Sequence, residues 1–135
     1  MKYTEEIARE TKDPKILVDI IRKYGDEPIS YMALVNKHCP IEMIIEILKR
    51  DIDDWLSCLA VTIPQLPSEI LEEILEKGKD DWVSSQSIRN PNCPYEARIN
   101  WMMKTGKIGK EDPKKHIIEY EIIKEDDLSD LKDLL

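Results

Sequence analysis

The sequence predicts an all-α fold, an α-solenoid of about three to four short two-helix repeats with a helical cap at each end. The first observation is a repeat: the run PIEMIIEIL from Pro40 returns 27 residues later as PSEILEEIL from Pro67. The second is an apolar stripe at i, i+1, i+4 and i+5 in each copy, which is typical of an amphipathic helix. The third is the decay of the pattern after Pro94, as expected of a terminal repeat.

The repeat pattern divides one domain, residues 1–135, into segments. Full repeats occupy 13–39, 40–66 and 67–93, because their aliphatic positions fall into shared columns such as Ile16/Met43/Ile70 and Ile20/Ile47/Ile74. Before them, residues 1–12 are expected to form an N-terminal cap. After them we expect a degenerate repeat at 94–110 and an acidic helical cap or tail at 111–135, where the alternation from Ile118 to Ile122 also permits a strand.

Each repeat offers two helices. In the copy that starts at Pro40, the first helix is expected to begin at that proline, as position N1, and to end near Arg50. Asp53 then suits the N-cap of a second helix that starts at Trp55 and stops before Pro64. A helix of about nine residues is not stable alone, so it needs its neighbours. The next copy has the same landmarks at Pro67, Lys77, Asp80, Trp82 and Pro91.

Composition and charge exclude several classes of protein. The chain has 135 residues, a formal net charge of −8 and 41% hydrophobic residues, with no apolar run of about 18 residues to span a membrane. Its polar start does not resemble a signal peptide, so we expect a cytoplasmic protein. Cys39 and Cys93 share a column two periods apart, which in stacked repeats separates them by about 20 Å, so we expect reduced cysteines. An acidic chain repels phosphate backbones, so direct nucleic-acid binding is not expected.

The chain resembles the leucine-rich repeat variant family over residues 13–104. The residues that carry the resemblance are Asn-Pro-Asn-Cys-Pro from Asn90 to Pro94, the following Glu96, and Asp-Asp-Trp-Val from Asp80. The motif is weaker elsewhere, since Ile63-Pro-Gln stands at the corresponding place one period earlier. The resemblance implies a right-handed superhelix with one α-helix and one shorter, often 3₁₀, helix per repeat, and it transfers no catalytic residue.

An acidic ladder is the first candidate binding surface. Its columns are Asp26/Asp53/Asp80 and Glu27/Asp54/Asp81. Neighbouring rungs about 10 Å apart in water repel by only about 0.4 kcal/mol, whereas an N-cap contributes about 1 kcal/mol. Helix capping therefore explains the ladder by itself. The alternatives left open are a surface for a basic peptide and a metal site.

Aromatic and leucine columns supply the other candidates. Trp55 and Trp82 share a column, and we expect them to pack in the core between repeats, with an exposed aromatic row as the alternative. Leucines at 128, 131 and 134 line one face of the acidic tail, which is expected either to dock on the last repeat or to bind a partner. The candidate partner-binding residues are Asp53, Asp54, Trp55, Asp80, Asp81, Trp82, Leu128, Leu131 and Leu134.

No catalytic or cofactor motif accompanies these candidates. The serine column at 30, 57 and 84 has no histidine at matching spacing, and the neighbours His38 and Cys39 do not give thiol–imidazole geometry. We therefore expect that the protein is not an enzyme and that it binds no metal and no cofactor. The leading hypothesis is a protein–protein interaction module that binds another protein, with a basic surface of that protein as one way of contact. The alternative is an acidic mimic of nucleic acid that occupies the basic cleft of a DNA- or RNA-binding protein.

Overall fold

Helices make up the regular structure of the computed structural model, which describes residues 2–108. No strand occurs in that range, so the all-α prediction is confirmed there. The predicted acidic segment 111–135, including its strand alternative, lies outside the described residues. The helices in chain order are α1 (Glu5–Glu10), α2 (Pro14–Tyr24), α3 (Pro28–Val35), α4 (Ile41–Lys49), α5 (Trp55–Ala60), α6 (Ser68–Glu76), α7 (Trp82–Ser87) and α8 (Tyr95–Lys104).

The longer helices α2, α4 and α6 begin in two different ways. Asp13 is the N-cap of α2, where its Oδ1 accepts from the N–H of Lys15 at 3.0 Å, and Pro14 is the first helical residue. Pro40 and Pro67 are themselves N-caps with extended backbone, so α4 and α6 start one residue later than predicted. The proline ring fixes φ but leaves ψ free to be extended, and the Pro40 carbonyl accepts the first helical hydrogen bonds.

The apolar stripe of each longer helix forms the core. In α4 all four stripe positions are buried: Met43, Ile44, Ile47 and Leu48. In α6 only Leu71 and Leu75 are buried, while Ile70 and Ile74 are half-buried. The predicted helical face is therefore confirmed in both copies, but the isoleucine column is less buried in the later one.

The short helices α3, α5 and α7 pack both on their preceding partner and on one another. Helix α2 packs on α3, α4 on α5 and α6 on α7, and α5 also contacts both α3 and α7. The buried face of α5 consists of Leu56, Ser57 and Ala60. Since α5 and α7 are only six residues long, tertiary contacts supply the stability that an isolated helix of this length lacks.

Two asparagines each bind the end of a short helix that lies about one sequence period earlier in the chain. The amide nitrogen of Asn90 donates to the carbonyls of Val61 at 2.9 Å and Ile63 at 3.0 Å, while its oxygen accepts from the N–H of Asn92 at 2.9 Å. Asn36 does the same two periods earlier, with the carbonyls at the end of α1 as acceptors. These bonds satisfy carbonyls that a helix leaves without an internal partner.

A residue with a positive φ follows each of the three longer helices α2, α4 and α6. Gly25 ends α2 at a φ of 59° and a ψ of −130°, a combination that glycine adopts readily because it has no Cβ. Gly78 follows α6 at a φ of 67°, and Asp51, one period before Gly78, also has a positive φ, of 57°. Aspartate tolerates this region better than most side chains do, so the turn is retained without glycine.

The chain divides into two compact units, Met1–Cys93 and Pro94–Leu135. Within the described part of the second unit, Trp101 of α8 is buried and the Lys107 ammonium lies 4.9 Å from its ring centroid. Cys39, Cys58 and Cys93 all carry thiols, as predicted. None of the described helices combines the length and the apolar character needed to cross a bilayer.

Candidate functional site

A groove of about 580 Å³ runs along the outer side of α5 and α7 in the first unit. Each of the two helices presents an exposed tryptophan to it, and three aspartates line it as well. Lysine and arginine are missing from its lining among the described residues. The lining residues are Asp26, Asp53, Asp54, Trp55, Cys58, Leu59, Thr62, Trp82 and Gln86.

The spacing along the short helices explains which side chains reach the groove. Cys58 and Leu59 follow Trp55 by three and four residues, which places all three on one side of α5, and Thr62 continues this spacing just beyond the end of the helix. The buried residues of α5 occupy the opposite side. The corresponding positions one period earlier hold Pro28, Tyr31, Met32 and Val35, and Val35 is 60% exposed. Apolar side chains therefore continue onto the outer side of α3.

The two tryptophans are among the most exposed apolar residues of the described chain. Trp55 is 72% exposed and Trp82 is 69% exposed. The prediction that they pack in the core is therefore wrong, and the exposed aromatic row is what the structure has. The physical reason is their position: each is the first residue of its helix, and the core-facing positions follow immediately at Leu56 and Val83.

One column of the acidic ladder caps its own helix. Asp54 Oδ1 accepts from the N–H of Ser57 at 2.8 Å, and Asp81 Oδ1 accepts from the N–H of Ser84 at 2.9 Å. The predicted N-caps, Asp53 and Asp80, are therefore wrong by one residue. Glu27 occupies the same column at the start of α3 but makes no side-chain cap. Its additional methylene distinguishes it from the aspartates that cap the later helices.

Residues of the other acidic column cap the short helix that lies one sequence period further along the chain. Asp26 Oδ1 accepts from the N–H of Leu56 at 3.0 Å, although the two residues belong to successive repeats of the sequence. Asp53 repeats the contact one period later, accepting from the N–H groups of Val83 at 2.9 Å and Trp82 at 3.3 Å. Each short helix from α5 onward thus receives two carboxylates at its N-terminus, which suits the positive end of the helix dipole.

The groove is electronegative. Burial and the surrounding carboxylates of Asp53, Asp54, Asp81 and Asp26 raise the pKa of the Cys58 thiol to about 11. Burial and a hydrogen bond to Asp26 likewise raise the pKa of Tyr31 to about 12, and the Tyr31 hydroxyl donates to Asp26 Oδ1 at 2.6 Å. At neutral pH both groups therefore stay protonated and add no negative charge of their own.

The predicted site residues divide into three sets. Asp53, Asp54, Trp55 and Trp82 come together in the groove. Asp80 and Asp81 do not line it: Asp80 is exposed elsewhere and Asp81 is half-buried beneath the start of α7. Leu128, Leu131 and Leu134 lie outside the described residues. Sequence reasoning missed Cys58, Leu59, Thr62 and Gln86, although their spacing of three, four or seven residues from a tryptophan was a usable signal.

The serine column is structural. Ser30, Ser57 and Ser84 are at most 1% exposed, so no substrate reaches them. Ser57 Oγ instead accepts from the guanidinium of Arg50, which also forms an ion pair with Asp54 at 3.3 Å. Within residues 2–108, no cluster of three or more His, Cys, Asp or Glu side chains is placed to hold a metal ion.

Comparison with models of protein families, with curated proteins and with solved structures finds no match to this chain.

Proposed function

We propose that this protein is a non-enzymatic interaction module that binds another protein through the groove of Trp55 and Trp82. The single observation that carries the proposal is the exposure of both tryptophans, 72% and 69%, on one continuous surface. Large aromatic side chains are costly to leave in water, and tryptophan is enriched among the residues that dominate binding energy at protein interfaces. The serine column is buried and out of reach of a substrate, which favours a non-enzymatic role.

We further propose a right-handed α-solenoid similar to the leucine-rich repeat variant family as the scaffold of this surface. The support is that hydrogen bonds recur at a constant separation: Asp26 to Leu56 and Asp53 to Val83 both join residues 30 apart. In a solenoid each repeat contacts only its neighbours, so a whole repeat is removable.

Deletion of residues 40–66 tests the scaffold, because it would place Val83 where Asp26 now meets Leu56. The solenoid predicts that this variant keeps its helical circular dichroism per residue and unfolds cooperatively, at a lower urea concentration than the full chain. Deletion of residues 40–59, which is not a whole period, is the matched control and should unfold. Loss of helix to the same extent in both variants would rule out the solenoid.

Removal of both tryptophans tests the interaction. The purified chain is immobilised, proteins of the native host are captured, and the bound set is quantified by mass spectrometry for wild type and for the Trp55→Ala, Trp82→Ala double variant. We expect one or more partners to be lost from the double variant. Ile52→Ala is the control, since Ile52 is 49% exposed but does not line the groove. An identical bound set in all three samples would contradict the proposal.

The alternative of an acidic mimic of nucleic acid draws on a different part of the chain. Residues 111–135 contain nine acidic and four basic residues, and the net charge is −8. A complex formed by mimicry weakens steeply with salt and is displaced by duplex DNA, whereas an interface centred on two tryptophans does neither to the same degree. Elution of the captured partner with DNA would favour the mimic and contradict the groove as the main interface.

A further inference from the structure

Among the described residues, the carboxylates of Asp26 and Asp53 accept hydrogen bonds only from neutral donors. Asp26 accepts from the Tyr31 hydroxyl and the Leu56 N–H, and Asp53 accepts only from backbone N–H groups. Asp54 differs, since Arg50 pairs with it. Both bonds to Asp26 end on Oδ1, so among the described residues Oδ2 is left as an acceptor for a ligand. The raised pKa of the Cys58 thiol, caused by burial and then by these carboxylates, reports the same negative field.

Like charge argues against the two occupants that this chain itself offers. Residues 111–135 carry nine acidic and four basic residues and would be repelled by the aspartates. A second copy of the chain carries the same net charge of −8 and the same acidic groove. A cationic partner instead gains from both features of the groove, since carboxylates attract it and the faces of exposed tryptophans bind cations. Arginine suits both, because its planar guanidinium stacks on aromatic rings and pairs with carboxylates.

The groove presents equivalent tryptophans on two neighbouring helices, and their spacing restricts the conformation of the partner. Trp55 and Trp82 are equivalent residues at the first position of α5 and α7, which pack on each other. Packed helices lie about 8–10 Å apart, and three residues of polyproline II chain advance by about 9 Å. An extended peptide therefore presents every third side chain to successive helices.

We infer that the groove binds an extended basic segment of a partner protein, in which arginine residues three apart lie on Trp55 and Trp82 and pair with Asp26 and Asp53. This inference rests on the proposed function and adds the chemistry of the partner to it.

A labelled synthetic peptide of four Arg-Ser-Pro triplets tests the inference by fluorescence anisotropy with the full-length protein. We expect saturable binding that weakens when salt is raised, and about tenfold weaker binding to Trp55→Ala. Asp26→Asn should weaken binding about threefold, as expected of one exposed charge pair. This variant keeps the two bonds that now end on Oδ1, because the asparagine oxygen still accepts them, and it removes the charge and the Oδ2 acceptor that the arginine would use. Glu42→Gln, on the exposed side of α4, is the matched charge control and should bind like wild type.

Three control peptides make the result decisive. Replacement of arginine by glutamine in the same triplets should abolish most of the binding, and replacement by glutamate should abolish all of it. A peptide of the same composition with its four arginines adjacent should bind more weakly than the spaced one. Equal affinity for the arginine and glutamine peptides, for the spaced and adjacent peptides, or for wild type and Asp26→Asn would overturn the inference.

The outcome is separable from that of the proposed function. If no arginine peptide binds while a host partner is still lost in the Trp55→Ala, Trp82→Ala variant, the basic partner is wrong and the interaction surface stands. If the arginine peptide binds wild type and the double tryptophan variant equally, the inference is wrong, and the capture experiment alone decides the proposed function.

Discussion

Truncation of Asn90 is expected to destabilise the first unit far more than its small size suggests. Asn90 is 1% exposed, and Asn90→Ala removes two donated bonds of 2.9 and 3.0 Å and one accepted bond of 2.9 Å. With a net contribution of about 1 kcal/mol for each bond, the loss is about 3 kcal/mol. That is a large part of a typical free energy of unfolding of about 5–15 kcal/mol.

Urea unfolding followed by circular dichroism at 222 nm measures this loss. For a slope of about 1–3 kcal/mol per molar urea, the midpoint should fall by about 1–3 M. Gln65→Ala is the control, since it removes the same kind of amide from an exposed position. A loss below about 1 kcal/mol for Asn90→Ala, or an equal loss in the control, would refute the view that Asn90, which follows α7, holds the end of α5 in place.

Asn90→Asp removes the donated hydrogen bonds while it keeps the size and shape of the side chain. The carboxylate has the same size but places a negative oxygen against the carbonyls of Val61 and Ile63, so its folded-state pKa should lie above the unfolded value. Folding of the variant is then favoured at pH values below the unfolded pKa, and this advantage is lost as pH rises through the folded pKa. We expect the deficit relative to wild type to be larger at pH 7 than at pH 4, and a deficit independent of pH would contradict the assigned contacts.

Three other measurements check separate features of the structure. Ile47→Ala should cost about 2–5 kcal/mol because Ile47 is 1% exposed, whereas Ile74→Ala should cost less because Ile74 is half-buried; equal losses in urea unfolding would contradict this order. Gly25→Ala should cost about 1–3 kcal/mol, because residues with a Cβ rarely adopt a φ of 59° with a ψ of −130°, although nothing lies within 4 Å of an added Cβ; no change in the unfolding midpoint would contradict that conformation. Cys58 should react with iodoacetamide about a hundredfold more slowly at pH 7.5 than an ordinary thiol, because its pKa is raised to about 11. The rate, measured by peptide mapping with mass spectrometry, should rise about tenfold per pH unit up to that pKa. A plateau of the rate near pH 9 would contradict the raised pKa.

The sequence predicted the helices well because their signals are local. The stripe of α4, with residues three and four apart, needs no knowledge of the neighbours, and the same holds for the proline that precedes it. The capping residue was missed for a physical reason: Asp53 and Asp54 are adjacent and equally able to cap. Only the position of the Val83 N–H, 30 residues away, decides that Asp53 serves the next helix.

The exposure of the tryptophans is likewise a tertiary property. An apolar residue at the start of a short helix is compatible with a core or with a surface, and the choice depends on what packs beside it. In α5 the following residues, Leu56 and Ser57, take the buried positions, so Trp55 faces solvent. Similarly, Ile70 and Ile74 have the same spacing as their buried counterparts in α4, and spacing alone cannot predict that they are only half-buried.

The carboxylates of Asp26 and Asp53 each cap a helix that lies later in the chain, so the two ends of these contacts are made at different times. Asp26 precedes α5 by about thirty residues and Asp53 stands in the same relation to α7, so both caps are synthesised before the helices that use them. On a ribosome, each six-residue helix emerges onto a surface that already holds its N-terminal acceptor. Asn90 acts in the opposite direction, since the end of α5 receives its amide only after the next repeat has been made. The order of synthesis therefore places an acceptor for the start of α5 and α7 before each of these helices, and the amide that binds the end of α5 after it.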